Sequence, residues 1–392
     1  MTDILAPPSS RHVIDRLGII IFVFAALGLF SPFVLFRANR IVAGEPRYLL
    51  DALPGWPGYL LLAALLAGAI LALLRLDARI RLGVSFAVLI LLVIGLGWAV
   101  DNVTPEGDKI SRTAPAVGFW LELLAFGLLA ADSVVRLGLK PLSRIALLVA
   151  VGLGIAAILL SGIWSDLSVL REYANRADVF WREAATHIAL ALGSLFAAAL
   201  VGLPLGIAIH PTKRVRGVVT GLLSAVQTIP SIALFGLLIA PLAWFAATVP
   251  AAAAIGIAGI GAAPAMLALF LYSLMPVVSN TLAGLDAVPP AANEAARGMG
   301  MTDTERLMQI QLPLAFPSIL AAIRIVLVQN IGLATVAALI GGGGFGVFVF
   351  QGVGQTAMDL VLLGAVPTVA LAFASAVILD AAVELVSVKG RT

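Results

Sequence analysis

The feature that most constrains this chain is a series of apolar runs, each about twenty residues long and nearly free of charge. The hydrocarbon core of a bilayer is about 30 Å thick, so a spanning helix needs a predominantly apolar run of this length. Ten runs qualify, at 17–36, 58–74, 82–100, 116–135, 145–163, 188–209, 217–244, 264–285, 314–340 and 360–386. None alternates with the two-residue period of a membrane strand, so the pattern predicts helices.

Composition supports the same conclusion. Only 11% of the residues are charged, against about 25% in an average globular chain, so a soluble protein could not cover its core. The absence of cysteine excludes a disulfide-stapled secreted domain. We therefore predict an all-α integral membrane protein with about ten transmembrane helices, the last five forming a distinct core.

The basic residues orient these helices. If the N-terminus is cytoplasmic, the inner loops hold 15 Lys and Arg and the outer loops hold eight, as the positive-inside rule requires. The first run is too long for a cleaved signal sequence, and no small-residue cleavage site precedes Arg37. These observations predict a multi-pass protein with both termini in the cytoplasm.

A polar, aromatic segment divides the chain. It predicts a five-helix membrane domain over 1–163, an extracytoplasmic linker over 164–187, and a second domain over 188–392. The spans of the second domain are richer in Gly and Pro, which suits helices that kink and pack closely around a path. We expect this domain to carry the function.

One long inner loop, residues 286–313, has the pattern of two short helices. Pro289 and Pro290 favour a helix start, whereas Gly298 and Gly300 can adopt the left-handed conformation that ends a helix. Thr302 and Glu305 predict a capping box for the second helix. Pro313 is expected to end the second helix. The apolar stripe of that helix is formed by Met301, Leu307, Met308, Ile310 and Leu312.

The spacing within this loop resembles the EAA coupling loop of ABC importer permeases. The matching positions are Glu294, Ala295 and Ala296, then Gly300 six residues after Glu294, then Ile310, Leu312 and Pro313. Segments 227–243, 263–285, 294–302 and 331–346 are similar to permeases of glycine betaine, choline and related osmoprotectant importers. The resemblance to these permeases covers residues 188–392. The sequence departs from the family pattern at Ser279, where many relatives have Arg. The first half of the chain resembles the extra N-terminal spans of long-form members.

This resemblance implies a type I permease core in a bacterial inner membrane. It implies the translocation subunit of an importer for glycine betaine, choline or related quaternary amines. The implied partners are ATP-binding cassette subunits that receive the loop, a second permease chain, the same or different, and an external substrate-binding protein, with no nucleic acid. No Lys follows a Gly, so the phosphate-binding motif GxxxxGK[ST] is absent. We expect no enzyme activity and no cofactor on this chain, with ATP and Mg on the partner ATPase.

Other interpretations stay open at this stage. The loop could be an ordinary amphipathic segment on the membrane surface, and the solute could be an amino acid. An ion-gradient-driven secondary transporter would predict an inverted repeat, but the two halves do not resemble each other. A membrane enzyme lacks a recognisable nucleophile, and His12, His187 and His210 are too far apart in sequence to predict a metal site.

Charged residues inside the spans are functional candidates. We predict that Arg324 pairs with Asp380, which shares a helix face with Glu384 at a spacing of four residues. The alternative is that Arg324 snorkels to the interface. Glu122 is expected to be interfacial or paired within the first domain.

A few further residues are candidates for the pathway or gate. Phe235, Phe270 and Tyr272 could offer aromatic faces to a quaternary ammonium ion, although simple packing is the other interpretation. Asn280 is a further candidate for the pathway or gate. Gly343 lies in a GxGxxG stretch that no predicted strand precedes, which argues against a dinucleotide site. The stretch predicts a flexible outer turn, and the resemblance implies that it lines the pathway or meets the binding protein.

Overall fold

The computed structural model describes residues 15–39, 42–105, 107–108 and 110–389, with side chains up to residue 386. The chain forms two compact units, one comprising Met1–Lys140 and Val151–Arg171, the other Pro141–Ala150 and Glu172–Thr392. His12 lies outside the described part. So do some of the loop Lys and Arg residues counted above, namely Arg11, Arg40, Lys109, Arg391 and the side chain of Lys389.

Nine helices of the described chain are long and apolar enough to cross a bilayer. Four belong to the first half, at Trp56–Leu73, Ala78–Val103, Val117–Leu137 and Pro141–Ser161. Five belong to the second half, at Ala177–Ile209, Ser231–Thr248, Ala262–Asp286, Asp303–Ala334 and Met358–Val386. The helical membrane architecture with a five-span C-terminal core is therefore confirmed.

The first predicted run, 17–36, is not one helix. Helix α1 (Arg16–Leu29) has 14 residues, and strand β1 (Val34–Arg37) follows it. Pro32 explains the stop, because a proline disfavours helical geometry at the residue before it. The Ser31 hydroxyl donates a hydrogen bond to the Leu27 carbonyl at 2.7 Å. The apolar residues of 17–36 predicted one continuous helix, but they gave no sign that the helix ends at Leu29.

The first unit adds a small antiparallel sheet in the order β2-β1-β3 to the expected helices. Val34 of β1 pairs with Arg47 and with Pro115. The remaining elements up to the second unit are β2 (Glu45–Arg47), α2 (Leu49–Ala52), α3 (Trp56–Leu73), α4 (Ala78–Val103), β3 (Arg112–Pro115), α5 (Val117–Leu137), α6 (Pro141–Ser161) and α7 (Ser168–Asn175).

A buried ion cluster closes one end of this unit. Arg81 of α4 donates to Asp15 at 3.0 Å and to Asp132 at 3.2 Å. Arg136 contacts the same two carboxylates, each at 2.7 Å. Burial alone would raise the pKa of Asp15, but the Gly18 N–H and the charges of Arg81 and Arg136 outweigh it and hold that pKa below its usual value. Each charge therefore has an opposite partner despite its burial.

Glu122 of α5 contradicts one of its two predicted alternatives, a pairing within the first domain. Glu122 is only 1% exposed, so it lies inside the helix packing, and an interfacial position stays a prediction. Neither carboxyl oxygen has a hydrogen-bond partner among the described residues, so it is not paired within the described part of the domain. The sequence could not show that the surrounding helices bring no cation to this level of α5.

The second unit is built around one central helix, α13, which packs between α8 and α16, while α16 also packs on α18. Its elements are α8 (Ala177–Ile209), α9 (Lys213–Thr228), α10 (Ser231–Leu237), α11 (Ile239–Thr248), α12 (Pro250–Ala254), α13 (Ala262–Asp286), α14 (Pro290–Gly298), α15 (Asp303–Arg306), a π-helical turn (Leu307–Gln311), α16 (Leu312–Ala334), a 3-10 turn (Val336–Ile340), α17 (Gly346–Gly354) and α18 (Met358–Lys389). The predicted linker over 164–187 is thus largely helical; the domain boundaries themselves stay a prediction.

Small residues allow α8 to approach α13. A Cβ added at Gly202 would lie 2.8 Å from Val277 Cγ1, and one at Gly206 would lie 2.9 Å from Thr281 Cβ. The two glycines are four residues apart, as in the small-residue motifs that bring membrane helices together. Close backbone packing therefore holds the centre of this unit.

The predicted span at 217–244 is also broken. Helix α9 ends at Thr228, and Ile229 has the extended conformation that a following proline favours. Pro230 caps α10, which begins at Ser231. The spanning segment of this region is Ser231–Thr248, so the apolar run merged two helices that the proline separates.

Substituting Gly18 tests the packing of the first unit. A Cβ at this position would lie 2.0 Å from the Ala72 carbonyl oxygen of α3, so α1 must move away. We expect Gly18→Ala to lower the free energy of unfolding by about 1–3 kcal/mol, measured by thermal unfolding in lipid nanodiscs. Gly83→Ala is the matched control, since no atom lies within 4 Å of the added Cβ. Equal stabilities of the two variants would contradict this packing.

Candidate functional site

The first limb of the loop at 286–313 is helix α14. Pro290 is in its first turn, as predicted. The helix ends where Met301 donates its N–H to the Ala296 carbonyl at 3.1 Å and Gly300 donates to the Arg297 carbonyl at 2.9 Å. Gly300 has a φ of 80°, which completes a Schellman cap. The predicted role of Gly300 is confirmed, whereas Gly298 is still within the helix.

The turn into the second limb is fixed by the predicted capping box. The Thr302 N–H donates to Glu305 Oε2 at 2.8 Å, and the Glu305 N–H donates to Thr302 Oγ1 at 3.3 Å. Each residue satisfies a backbone donor that the start of a helix leaves free. Two local motifs therefore determine the path of the chain between the limbs.

The prediction that Pro313 ends the second limb is wrong. Helix α15 runs through the π-helical turn into α16 without a break, and Pro313 lies in the first turn of α16. Leu312 donates its N–H to the Leu307 carbonyl five residues back. The wider turn just before the proline explains why its ring can be accommodated. The second limb is therefore continuous with a membrane span.

The two limbs are tied together and present exposed methionines. Gln311 Nε2 donates to Asn293 Oδ1 at 2.9 Å. Met299 is 72% exposed and Met308 is 60% exposed. Of the remaining predicted loop residues, Ala296 is buried, Ile310 and Leu312 are half-buried, and Glu294, Ala295 and Pro313 are exposed. Flexible thioether side chains can adapt to a partner surface.

Asp286 anchors the start of the loop. Its carboxylate contacts His210 Nε2 at 3.1 Å and Arg216 Nη1 at 2.7 Å. His210 follows the last residue of α8, and Arg216 lies in α9. The sequence did not predict this contact, because the three residues lie in separate loops and helices. The loop is therefore connected to α8 and α9 at one end and to α16 at the other.

The predicted pair of Arg324 and Asp380 is present. The structure adds Arg144 of α6, which contacts Asp380 at 2.9 Å and Glu384 at 2.5 Å. Asp380 thus lies between two guanidinium groups, at the edge of an open groove whose walls are otherwise apolar. The pairing disfavours a snorkelling Arg324. Local sequence could not show Arg144, which is 236 residues from Asp380.

A second polar contact lies fully inside the helix packing. Asn330 Nδ2 donates to Ser194 Oγ at 2.9 Å and to Ser273 Oγ at 2.8 Å. The three side chains are completely buried and join α16, α8 and α13. Hydrogen bonds of this kind link helices where lipid offers no partner. Sequence reasoning missed them, because single Ser and Asn residues in apolar runs carry no signal of their neighbours.

The predicted pathway aromatics are packed inside the unit. Phe235 and Tyr272 share one buried cluster, and Phe270 packs at the edge of another. The Tyr272 hydroxyl donates to the Ile229 carbonyl at the break before α10. Asn280 donates to the Pro276 carbonyl of its own helix at 2.8 Å. The structure thus brings Phe235 and Tyr272 together, and a pathway role for these residues stays a prediction.

The glycine turn (residues 341–346) forms hydrogen bonds with two side chains of α8. Gly344 donates its N–H to Glu183 Oε2 at 2.8 Å, and Phe345 donates to His187 Nδ1 at 3.3 Å. A Cβ at Gly343 would lie 2.9 Å from the same Glu183 oxygen. Glu183 and His187 are one helical turn apart and both buried. The turn therefore needs glycine both for its backbone conformation and for space.

Two family models match separate parts of the chain. Residues 198–389 match the model described as "Binding-protein-dependent transport system inner membrane component". Residues 15–170 match the model described as "ABC transporter permease YehY, N-terminal domain".

Individual relatives cover the second half. The osmoprotectant import permease protein OsmW of Salmonella typhimurium is 42% identical over 45% of this chain and 76% of its own length. The choline transport system permease protein OpuBB of Bacillus subtilis is 37% identical over 47% of this chain and 78% of its own. A chain of the MetNI methionine ABC transporter, solved in an inward-facing conformation, has 22% identity, a TM-score of 0.47, and coverage of 54% of this chain and 98% of its own.

These sequence matches define the class as the membrane permease subunit of an ABC transporter, which is a non-catalytic membrane component. The chain belongs to the family of binding-protein-dependent transport system inner membrane components.

Removing the shared carboxylate should weaken the charged cluster. Asp380→Asn leaves Arg324 and Arg144 with Glu384 as their only carboxylate in the cluster, so we expect a loss of about 1–3 kcal/mol in unfolding free energy, reduced by partial exposure. Glu384→Gln is the control, because Asp380 still lies between both arginines. Thermal unfolding in nanodiscs measures both, and a larger loss for Glu384→Gln would contradict the assignment.

The glycine turn offers a second test. Gly344 has a φ of 84°, and a Cβ there would lie 3.1 Å from His187 Nδ1. We expect Gly344→Ala to lower the unfolding free energy by about 1–2 kcal/mol, whereas Gly354→Ala, with open space around the added Cβ, should not. A stable Gly344→Ala variant would show that Glu183 and His187 do not fix the turn.

Proposed function

We propose that this chain is the translocation subunit of an ATP-driven importer of osmoprotectants, namely glycine betaine, choline or related quaternary amines. Relatives named for osmoprotectant and choline transport support this substrate class. The chain would lie in a bacterial inner membrane with both termini in the cytoplasm. Family membership argues against a transporter driven by an ion gradient, and an amino-acid solute has no observation in its favour.

The loop at 286–313 carries the proposal. Its Schellman cap, its capping box and the bond between Gln311 and Asn293 hold the limbs in a fixed relation. The resulting projection presents Glu294, Met299 and Met308 on its exposed surface. A pre-ordered apolar projection loses little entropy when it binds in a groove, which suits docking to a separate ATP-binding subunit.

The connections of the loop explain how docking would move the spans. Its second limb enters α16 without a break, and α16 carries both Arg324 and Asn330. The loop begins at Asp286, the last residue of α13, which contacts His210 at the end of α8 and Arg216 in the first turn of α9. A displacement of the loop by the ATPase would therefore reach α16 directly, and α8 and α9 through the contacts of Asp286 with His210 and Arg216. Movement of these helices would open the permease alternately to the outside and to the cytoplasm, with ATP and Mg bound to the partner subunit.

The other partners follow from the arrangement of such importers. One loop engages one ATPase, so a pair of ATPases requires a second permease chain, identical or different. An external binding protein would deliver the substrate. Quaternary ammonium ions lack N–H donors and bind aromatic faces, so Phe235, Phe270 and Tyr272 would contact the substrate only after the spans rearrange. Most selectivity would then lie in the binding protein.

Substitution at the exposed face tests the docking. We expect Met299→Glu to weaken binding of the partner ATPase by about tenfold, or ~1.4 kcal/mol, because a charge replaces an apolar contact. Met358→Glu is the control, as Met358 is similarly exposed but lies at the start of α18. Co-purification of the ATPase, and ATP hydrolysis stimulated by loaded binding protein, measure the effect. Equal ATPase recovery with both variants would contradict the proposal.

A further inference from the structure

The first unit contains a buried carboxyl group that the transport function does not use. Glu122 has no hydrogen bond or ion pair with any described residue. It contrasts with Asp132, ten residues further along α5, which contacts both Arg81 and Arg136. Ten residues correspond to about 15 Å of helix, so the cations of that cluster are out of reach. One acid of α5 is thus neutralised by arginines and the other is not.

The other charged residues described on the elements packed against α5 form no hydrogen bond with Glu122. The elements that pack on α5 include α1 with its N-cap Asp15, α3, α4, β1 and β3. Their charged residues are Asp15, Arg16, Arg37, Arg79, Arg81, Asp101 and Arg112. Glu122 forms an ion pair with none of them, so no side-chain cation of the described residues compensates its charge.

The backbone around Glu122 is rich in carbonyl oxygen. Its carboxyl group faces Gly28 in the last turn of α1, where an added Cβ would lie 2.9 Å from Oε1. One turn earlier on α5, a Cβ at Gly118 would lie within 2.8 Å of the Gly28, Ser31 and Pro32 carbonyl oxygens. The C-terminal end of a helix also carries the negative end of its dipole. An ionised carboxylate is therefore disfavoured by burial and by its neighbours.

We propose that Glu122 is a proton-binding site of the first unit, occupied when α1 packs on α5. A neutral carboxyl group avoids the large cost of a buried, unpaired ion. Gly28 leaves just enough space for the neutral carboxyl group. The close approach of α1 to α5 therefore requires that Glu122 carry its proton. When α1 separates from α5, water reaches Glu122 and the proton is released.

The sign of the pH dependence follows from this exchange. The packed arrangement binds one more proton than the separated one, so low pH favours packing and high pH opposes it. At high pH the opening constant should increase by up to tenfold per pH unit. The first unit would therefore respond to pH at α1 through one identified carboxyl group.

Hydrogen exchange measured by mass spectrometry on the full chain in nanodiscs tests the inference. Glu122→Gln keeps the size of the side chain and removes its titration. We expect the α1 and α5 peptides to exchange at similar rates in the two proteins at acidic pH, and the wild type to exchange progressively faster than the variant at alkaline pH. Comparison at each pH cancels the intrinsic pH dependence of exchange, and α13 peptides serve as an internal reference. A ratio that does not change with pH would overturn the proposal.

A second measurement needs no variant. Dicyclohexylcarbodiimide reacts with a protonated carboxyl group in an apolar environment: the O–H adds across a C=N bond, the proton goes to nitrogen, and the adduct rearranges to a stable N-acylurea. We expect modification of Glu122 but not of Asp132, decreasing as the pH is raised. Protection by sodium or potassium ions at constant ionic strength would assign the site to a metal cation instead, and modification of Asp132 alone would also overturn the proposal.

Discussion

The low polarity of the membrane interior makes an unpaired charge or amide far more costly than it is in water, so each buried polar group needs a partner within the protein. With only 11% charged residues, the chain has few such groups to place, and several of the buried or half-buried ones form pairs that join distant segments. Arg81 joins α1, α4 and α5, Asn330 joins three helices, and Asp380 joins α16, α18 and the start of α6. The same constraint makes the unpaired Glu122 informative.

Polar contacts and small residues have complementary roles in the second unit. Gly202 and Gly206 let α8 approach α13, and the bonds of Asn330 fix the relation of both helices to α16. The glycine turn is held to α8 in the same way, by two side chains one helical turn apart. The loop at 286–313 is joined to this assembly at both ends, so the part of the chain that we propose meets an ATPase is continuous with the part that spans the membrane.

Sequence reasoning succeeded where the determining interactions are local. Span positions follow from the apolarity of each run, and the paths at Gly300 and Thr302 follow from capping motifs within a few residues. It failed where a local break interrupts an apolar run, as at Pro32 and Pro230, and where a π-helical turn carries the helix past Pro313. The partners of Arg144, and the lack of a partner for Glu122 among the described residues, both depend on segments far away in sequence. Arg324 was the exception, because a single charge deep in a span has few possible partners.

Transport by the assembled complex tests the central claim most directly. This chain would be reconstituted in proteoliposomes with its partner ATPase and binding protein, and uptake of labelled glycine betaine and choline would be measured with ATP inside or outside the vesicles. The account predicts accumulation that requires the binding protein and ATP on the side of the loop at 286–313. Accumulation by this chain alone, driven by an ion gradient without ATP, would contradict it.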